Sequence, residues 1–135
     1  MLKLIIGVKG TGKTKTLIGM VNDAVATSKG AVICIEKGDK LRYDVKYQAR
    51  LIDTNEYFVD DAQSLFGFVA GIFASNHDVT DLFIDSALKI CQNDAEAFDK
   101  FLLEMDALVE KLNINVVMTS SIPVESASET VKKFI

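Results

Sequence analysis

An eight-residue stretch near the start of the chain combines three glycines with a lysine and a threonine at fixed spacing. Residues 7–14 read Gly-Val-Lys-Gly-Thr-Gly-Lys-Thr and match the pattern G-x-x-x-x-G-K-[S/T] at every position. Gly7, Gly10 and Gly12 allow the positive φ angles with which a loop turns its backbone N–H groups toward a common centre. Because such a concave array of N–H groups binds anions, the stretch predicts a phosphate site.

Two side chains at the end of this stretch suit the phosphates of a nucleotide and a metal ion. Lys13 supplies a mobile positive charge for the β- and γ-phosphates, and the Thr14 hydroxyl is a natural Mg²⁺ ligand. A helix expected to begin here also directs the positive end of its dipole at the same anion. The residues expected to contact the nucleotide are Gly7, Lys9, Gly10, Thr11, Gly12, Lys13, Thr14 and Lys15.

Two other interpretations of this stretch are weaker. A glycine-rich turn in an unrelated α/β protein would not explain why an apolar run precedes it and apolar residues follow it at helical spacing. The dinucleotide-binding pattern G-x-G-x-x-G begins at Gly10, but Lys15 occupies the position of its third glycine. We therefore prefer a nucleotide phosphate site.

Composition limits the class of protein. A chain of 135 residues, 49% hydrophobic and 25% charged, is expected to form one domain over residues 1–135. It has no membrane-length apolar run and no signal-peptide pattern, and Cys34 and Cys91 lie in apolar stretches without metal-ligand spacing. These features favour a cytoplasmic protein with reduced core cysteines. A net charge of −4 does not indicate nucleic-acid binding through a basic surface.

Apolar runs alternate with amphipathic stretches along the chain. Strands are predicted at residues 2–8, 31–36, 49–53, 82–84 and 114–118, with a short edge strand at 42–45. Helices are predicted at 13–28, from Asp60 or Asp61 to Ser75, after Asn93 or Asp94, and after Ser126. Gly67 and Gly71, in the second helix, are expected to pack closely against the sheet. The alternation predicts a three-layer αβα sandwich around a mostly parallel sheet of about five strands.

Ligands of such sheets lie beyond the carboxyl ends of the strands, so the residues that close each strand are candidates for chemistry. These residues are Glu36, Asp53, Asp85 and Thr119. We expect Asp85 to hold Mg²⁺ together with Thr14, because it closes an apolar strand that is followed by a long helix. Asp53 is the second candidate for this role. The alternative is that Asp85 only caps a turn at the strand end.

Residues 7–14 resemble the Walker A motif of P-loop NTPases, and residues 82–85 resemble a Walker B strand. The layout is similar to that of RecA-like ATPases, which implies a P-loop fold, bound ATP or ADP, and Mg²⁺. The resemblance also implies that Lys13 is catalytic, that Glu36 activates the attacking water, and that Thr119 or Ser120 senses the γ-phosphate. One departure is Ser86, because many ATPases have a glutamate directly after the Walker B aspartate.

Glu36 has a second interpretation, as a solvated charge at the start of the polar loop that follows it. Charge stabilisation by an arginine is a further requirement of phosphoryl transfer. The chain has only Arg42 and Arg50, and neither lies at a clear position for this role. This scarcity favours a slow ATPase, or one to which a protein partner or a second copy of the chain supplies an arginine.

Three functions remain open from the sequence. Mg-ATP binding with slow hydrolysis is preferred. A nucleotide-dependent switch with little turnover is the alternative, and a small-molecule kinase is third, because a kinase usually carries an arginine-bearing lid. GTP is disfavoured as the ligand, since the Asn-Lys-x-Asp motif with which GTPases read the base is absent.

Overall fold

Five parallel strands form the centre of the protein, whose computed structural model describes residues 1–135. The strands are β1 (Leu2–Ile6), β2 (Ala31–Glu36), β3 (Arg50–Asp53), β4 (Val79–Ile84) and β5 (Asn115–Ser120). Their order across the sheet is β1-β5-β4-β2-β3, and every neighbouring pair is parallel. The predicted α/β class and five-stranded sheet are confirmed, and the sheet is parallel throughout rather than mostly so.

Five helices lie between the strands or after the last one, with none between β2 and β3 and two between β4 and β5. They are α1 (Lys13–Thr27), α2 (Ala62–Ser75), α3 (Ala87–Ile90), α4 (Ala95–Leu112) and α5 (Glu129–Lys132). Short 3₁₀ turns occupy Thr54–Tyr57 and Val124–Ser126. None of the helices is both long enough and apolar enough to cross a membrane.

The hydrophobic core is divided in two by the sheet, and the division is visible along β2. Val32 and Cys34 belong to the cluster beneath α1, whereas Ile33 and Ile35 belong to the cluster that includes residues of α2 and α4. Successive side chains of a strand point to opposite faces, so helices cover both sides of the sheet. The arrangement is consistent with a three-layer sandwich.

Side-chain caps fix the starts of α2 and α4, the two long helices that come after α1 in the chain. Asp61 accepts the backbone N–H of Ser64 at the start of α2, at 2.8 Å. Asp94 accepts the N–H of Ala97 at the start of α4, at 3.1 Å. One of the two alternatives offered by the sequence is thus selected at each helix.

Two expectations about local structure are wrong. Residues 42–45 form turns rather than an edge strand, because the N–H groups of Asp44 and Val45 both bond to the Leu41 carbonyl and curl the chain back. Leu41 and Val45 are then buried beneath α1. The last helix is capped by Ser128, whose hydroxyl accepts the Val131 N–H, and not by Ser126.

The close packing expected of Gly67 and Gly71 is also wrong. Both lie on the exposed face of α2, and a Cβ atom added at either would meet nothing within 4 Å. The buried residues of this helix are Leu65, Val69 and Phe73, which form its core-facing stripe. The glycines therefore weaken the helix without a packing role.

We predict that Gly67→Ala stabilises the protein. Alanine removes the conformational freedom that glycine adds to the unfolded chain, so the free energy of unfolding should rise by up to ~1 kcal/mol in urea titrations. Gly30→Ala is the matched control, because a Cβ there would overlap the Asp78 carbonyl oxygen and should destabilise the protein. A loss of stability in Gly67→Ala would contradict its exposed position.

Candidate functional site

The loop between β1 and α1 has the backbone geometry of an anion site. Gly7, Gly10 and Gly12 have φ angles of +152°, +86° and +84°, which confirms the positive values predicted at these positions. Gly12 is the N-cap of α1, and no side chain caps this helix end. The first backbone N–H groups of α1 therefore have no partner within the helix, and they could donate to an anion at this end of the helix, where the dipole is positive.

Lys13 and Thr11 both turn toward the loop itself. The Lys13 ammonium donates to the Val8 carbonyl oxygen at 2.8 Å, and the Thr11 hydroxyl donates to the same oxygen at 2.8 Å. An ammonium carries three N–H donors, so Lys13 can hold the loop and still donate to a phosphate. The exposed Lys9 and Lys15 lie on either side of this pair along the chain.

A hydrogen-bonded network joins this loop to the centre of the sheet. The Thr14 hydroxyl lies 3.0 Å from Asp85 Oδ1 and 3.3 Å from Asp85 Oδ2. Thr119 donates its hydroxyl to Asp85 Oδ1 at 2.8 Å and accepts the Ser86 N–H at 2.8 Å. Three residues singled out by the sequence are thereby brought together, although 71 residues separate Thr14 from Asp85.

The network explains which of the two polar residues closing β5 faces the site. Thr119 lines the cleft beside the loop, whereas the Ser120 hydroxyl donates to the Thr119 carbonyl and accepts the Leu88 N–H. The single hydroxyl proton of Thr119 is directed to Asp85, so this side chain orients the carboxylate. A contact between Thr119 and a γ-phosphate stays a prediction.

Glu36 is buried, with 3% of its surface exposed, so its interpretation as a solvated charge is wrong. Its Oε1 accepts the Lys40 N–H at 3.0 Å, and its Oε2 accepts the Leu41 N–H at 3.1 Å. Burial raises the pKa of Glu36, and the nearby Asp85 and Asp53 charges add to this, against the lowering effect of the two backbone hydrogen bonds. Glu36 also lines the cleft, and its role as a base stays a prediction.

Asp53, the second candidate for the metal, has a different position. Its Oδ1 accepts the Gly38 N–H at 2.8 Å and the Asn55 N–H at 2.9 Å. It is not among the residues that line the cleft. Asp53 therefore supports the loop that follows Glu36, and Asp85 is the carboxylate that the structure places next to Thr14.

A cleft of about 550 Å³ opens above these residues, and its charge is mainly positive. Two carboxylates, from Glu36 and Asp85, reach it. None of its lysines forms an ion pair, because the one salt bridge of the structure joins Lys132 to Glu129. The lysines that line the cleft are Lys9, Lys13, Lys15, Lys37, Lys40 and Lys89.

Half of these lysines were not anticipated from the sequence. Lys37 and Lys40 follow Glu36 in the polar loop after β2, and Lys89 lies on α3, four residues after Asp85. The sequence feature that could have indicated them is their position shortly after the ends of strands, where ligand-binding residues of parallel sheets lie. Arg42 and Arg50 do not line the cleft and instead border a separate groove with Tyr47.

The donor atoms present fit a magnesium ion. Mg²⁺ prefers oxygen ligands and is held in nucleotide sites by one or two protein oxygens together with water and phosphate oxygens. Thr14 and Asp85 offer a hydroxyl and a carboxylate 3.0 Å apart at the wall of the cleft. No third protein ligand is required.

Comparison with known proteins adds no family to this description. No protein-family model matches the chain, and a search of the curated proteins finds no relative. The functional interpretation therefore depends on the loop geometry, on the network around Asp85 and on the unpaired lysines.

We predict that Glu36 makes the stability of the protein depend on pH. The folded chain binds the Glu36 proton more tightly than the unfolded chain, because burial raises the pKa of this carboxyl. Its contribution to the free energy of unfolding should therefore fall as the pH rises from the ordinary carboxyl pKa through the raised one, and then stay constant.

Urea unfolding of the wild type and Glu36→Gln between about pH 4 and pH 8 measures this effect. Wild-type stability relative to Glu36→Gln should decline across the window. Gln63→Asn, at an exposed position without a titratable group, is the control and should show a flat difference. A wild-type advantage over Glu36→Gln that grows with pH would contradict the raised pKa.

Proposed function

We propose that the chain binds Mg-ATP in this cleft and hydrolyses it slowly, as a P-loop domain of RecA-like layout. The observation that supports this most strongly is the combination of six unpaired lysines with an uncapped helix N-terminus in a chain whose net charge is −4. Such a concentration of positive charge is costly unless an anion of high charge binds to it. A nucleoside triphosphate with its metal ion has the required charge and length.

Each part of the cleft has a role in this proposal. The amides of residues 7–14 and the Lys13 ammonium bind the phosphates. Thr14 and Asp85 hold Mg²⁺, which neutralises charge on the β- and γ-phosphates when bound. Thr119 fixes the orientation of Asp85 through the hydrogen bond at 2.8 Å.

Hydrolysis is assigned to Glu36. Each of its oxygens accepts one backbone N–H and retains a second lone pair, with which the carboxylate can accept a hydrogen bond from a water in the cleft. The raised pKa brings this carboxylate closer to neutral pH, as suits a general base. Neither arginine of this chain lines the cleft, so we propose slow turnover, accelerated where a protein partner or a second copy contributes an arginine.

A nucleotide-dependent switch with little turnover is the second candidate. It is favoured by the two backbone N–H groups that Glu36 accepts, because these hydrogen bonds give Glu36 a structural role even if it does not activate water. A small-molecule kinase is third, since the cleft would also have to admit an acceptor. The two free cysteines lie buried in separate core clusters, and burial raises the pKa of each to about 12. We propose a cytoplasmic location, because free thiols are typical of a reducing compartment.

Release of phosphate from Mg-ATP tests the proposal. Lys13→Ala should release phosphate about tenfold or more slowly than the wild type, because charged hydrogen bonds to phosphate are strong. Lys29→Ala is the matched control, since Lys29 is exposed in the turn before β2, at the opposite end of the sheet. Equal rates for the wild type and Lys13→Ala would contradict hydrolysis at this site.

A further inference from the structure

The loop that follows β2 carries two of the six cleft lysines. Lys37 and Lys40 are both exposed, and both line the cleft. No carboxylate lies within ion-pairing distance of either one. Their ammonium groups are therefore free to bind an anion.

This short loop is fixed by buried and half-buried groups. Glu36 accepts the N–H groups of Lys40 and Leu41, one on each oxygen, and Asp53 accepts the N–H of Gly38 at 2.8 Å. Gly38 has a φ of +111°, which a residue with a side chain rarely adopts. Leu41 is 4% exposed and packs in the cluster beneath α1. These contacts hold the backbone of the loop, although its lysines face solvent.

Strand order places this loop on one particular side of the cleft. The loop at residues 7–14 follows β1, Asp85 follows β4, and the Lys37–Lys40 loop follows β2, which is the next strand beyond β4. Asp85 therefore lies between the two loops. A triphosphate bound at residues 7–14 with its metal ion at Thr14 and Asp85 would extend its terminal phosphate toward Lys37 and Lys40.

We propose that Lys37 and Lys40 bind the terminal phosphate and supply part of the positive charge there, to which an arginine from a partner or a second copy would add. Glu36 and Asp53 act as positioning residues for this loop. This inference rests on the proposed triphosphate binding, and it assigns the cleft a preference for triphosphates over diphosphates.

Calorimetric titration with Mg-ATP and Mg-ADP tests the inference directly. Lys37→Ala/Lys40→Ala should weaken ATP binding by about tenfold or more while ADP binding changes far less, since the lost contacts involve only the terminal phosphate. Lys29→Ala/Lys111→Ala removes the same charge from exposed positions before β2 and at the end of α4, and should leave the ratio of the two affinities unchanged.

Variants of Asp53 test the positioning role. Asp53→Ala removes the acceptor of the Gly38 N–H and should lower the preference for ATP over ADP, whereas Asp53→Asn keeps an oxygen acceptor and should restore most of it. A merely structural role would weaken both nucleotides equally.

The possible failures are distinguishable. A wild-type chain that binds neither nucleotide would overturn the proposed function together with this inference. A wild type that binds ATP, with an unchanged ratio of ATP to ADP affinity in Lys37→Ala/Lys40→Ala, would overturn this inference alone.

Discussion

The contact between Thr14 and Asp85 is the constraint on which the rest of the site depends. It can form only if the first turn of α1 lies above the carboxyl end of β4, even though β5 separates β4 from the strand that leads into α1. The register of the sheet provides the third member of the network. Ile84 lies opposite Met118, so the residues that follow them, Asp85 and Thr119, come within 2.8 Å of each other. The pairing of β4 with β5 therefore determines the geometry of the site.

Electrostatic charge is distributed unevenly over this acidic chain. Lysines from four segments converge on the cleft, whereas only Glu36 and Asp85 oppose them there, and Glu36 is buried with both oxygens engaged by backbone N–H groups. Mutual repulsion among the lysines opposes folding in the absence of an anion. A bound polyphosphate would relieve that repulsion, so its binding would stabilise the folded chain.

Local patterns in the sequence were sufficient for the positive φ angles of the loop at residues 7–14, for the five strands of the sheet and for the long helices, because each depends on residues near one another in the chain. The strand predicted at residues 82–84 is longer than expected, since β4 begins at Val79. Asp85 could be chosen because it closes an apolar strand. The burial of Glu36 could not be inferred from the sequence. The Lys40 and Leu41 N–H groups that bond to Glu36 lie in a turn that continues into residues 42–45, where the pattern had predicted a strand.

The cleft positions of Lys37, Lys40 and Lys89 required the strand order as well. No local signal states which strand ends are neighbours in the sheet, and only that order brings these three lysines to one cleft. The exposure of Gly67, by contrast, could have been predicted. Leu65, Val69 and Phe73 recur every four residues along the core-facing stripe of α2, and Gly67 lies midway between Leu65 and Val69 in the chain, which places it on the opposite face of the helix.

Amide chemical shifts in ¹H–¹⁵N spectra, recorded during titration with Mg-ATP, test the central claim of phosphate binding most directly. The signals of residues 9–15 should shift together and reach saturation, because their N–H groups would bond to phosphate oxygens. The signals of Lys29 and Asn113, at the opposite end of the sheet, should not change. Saturable shifts confined to residues away from the loop at 7–14, or no shifts at all, would contradict phosphate binding at this site.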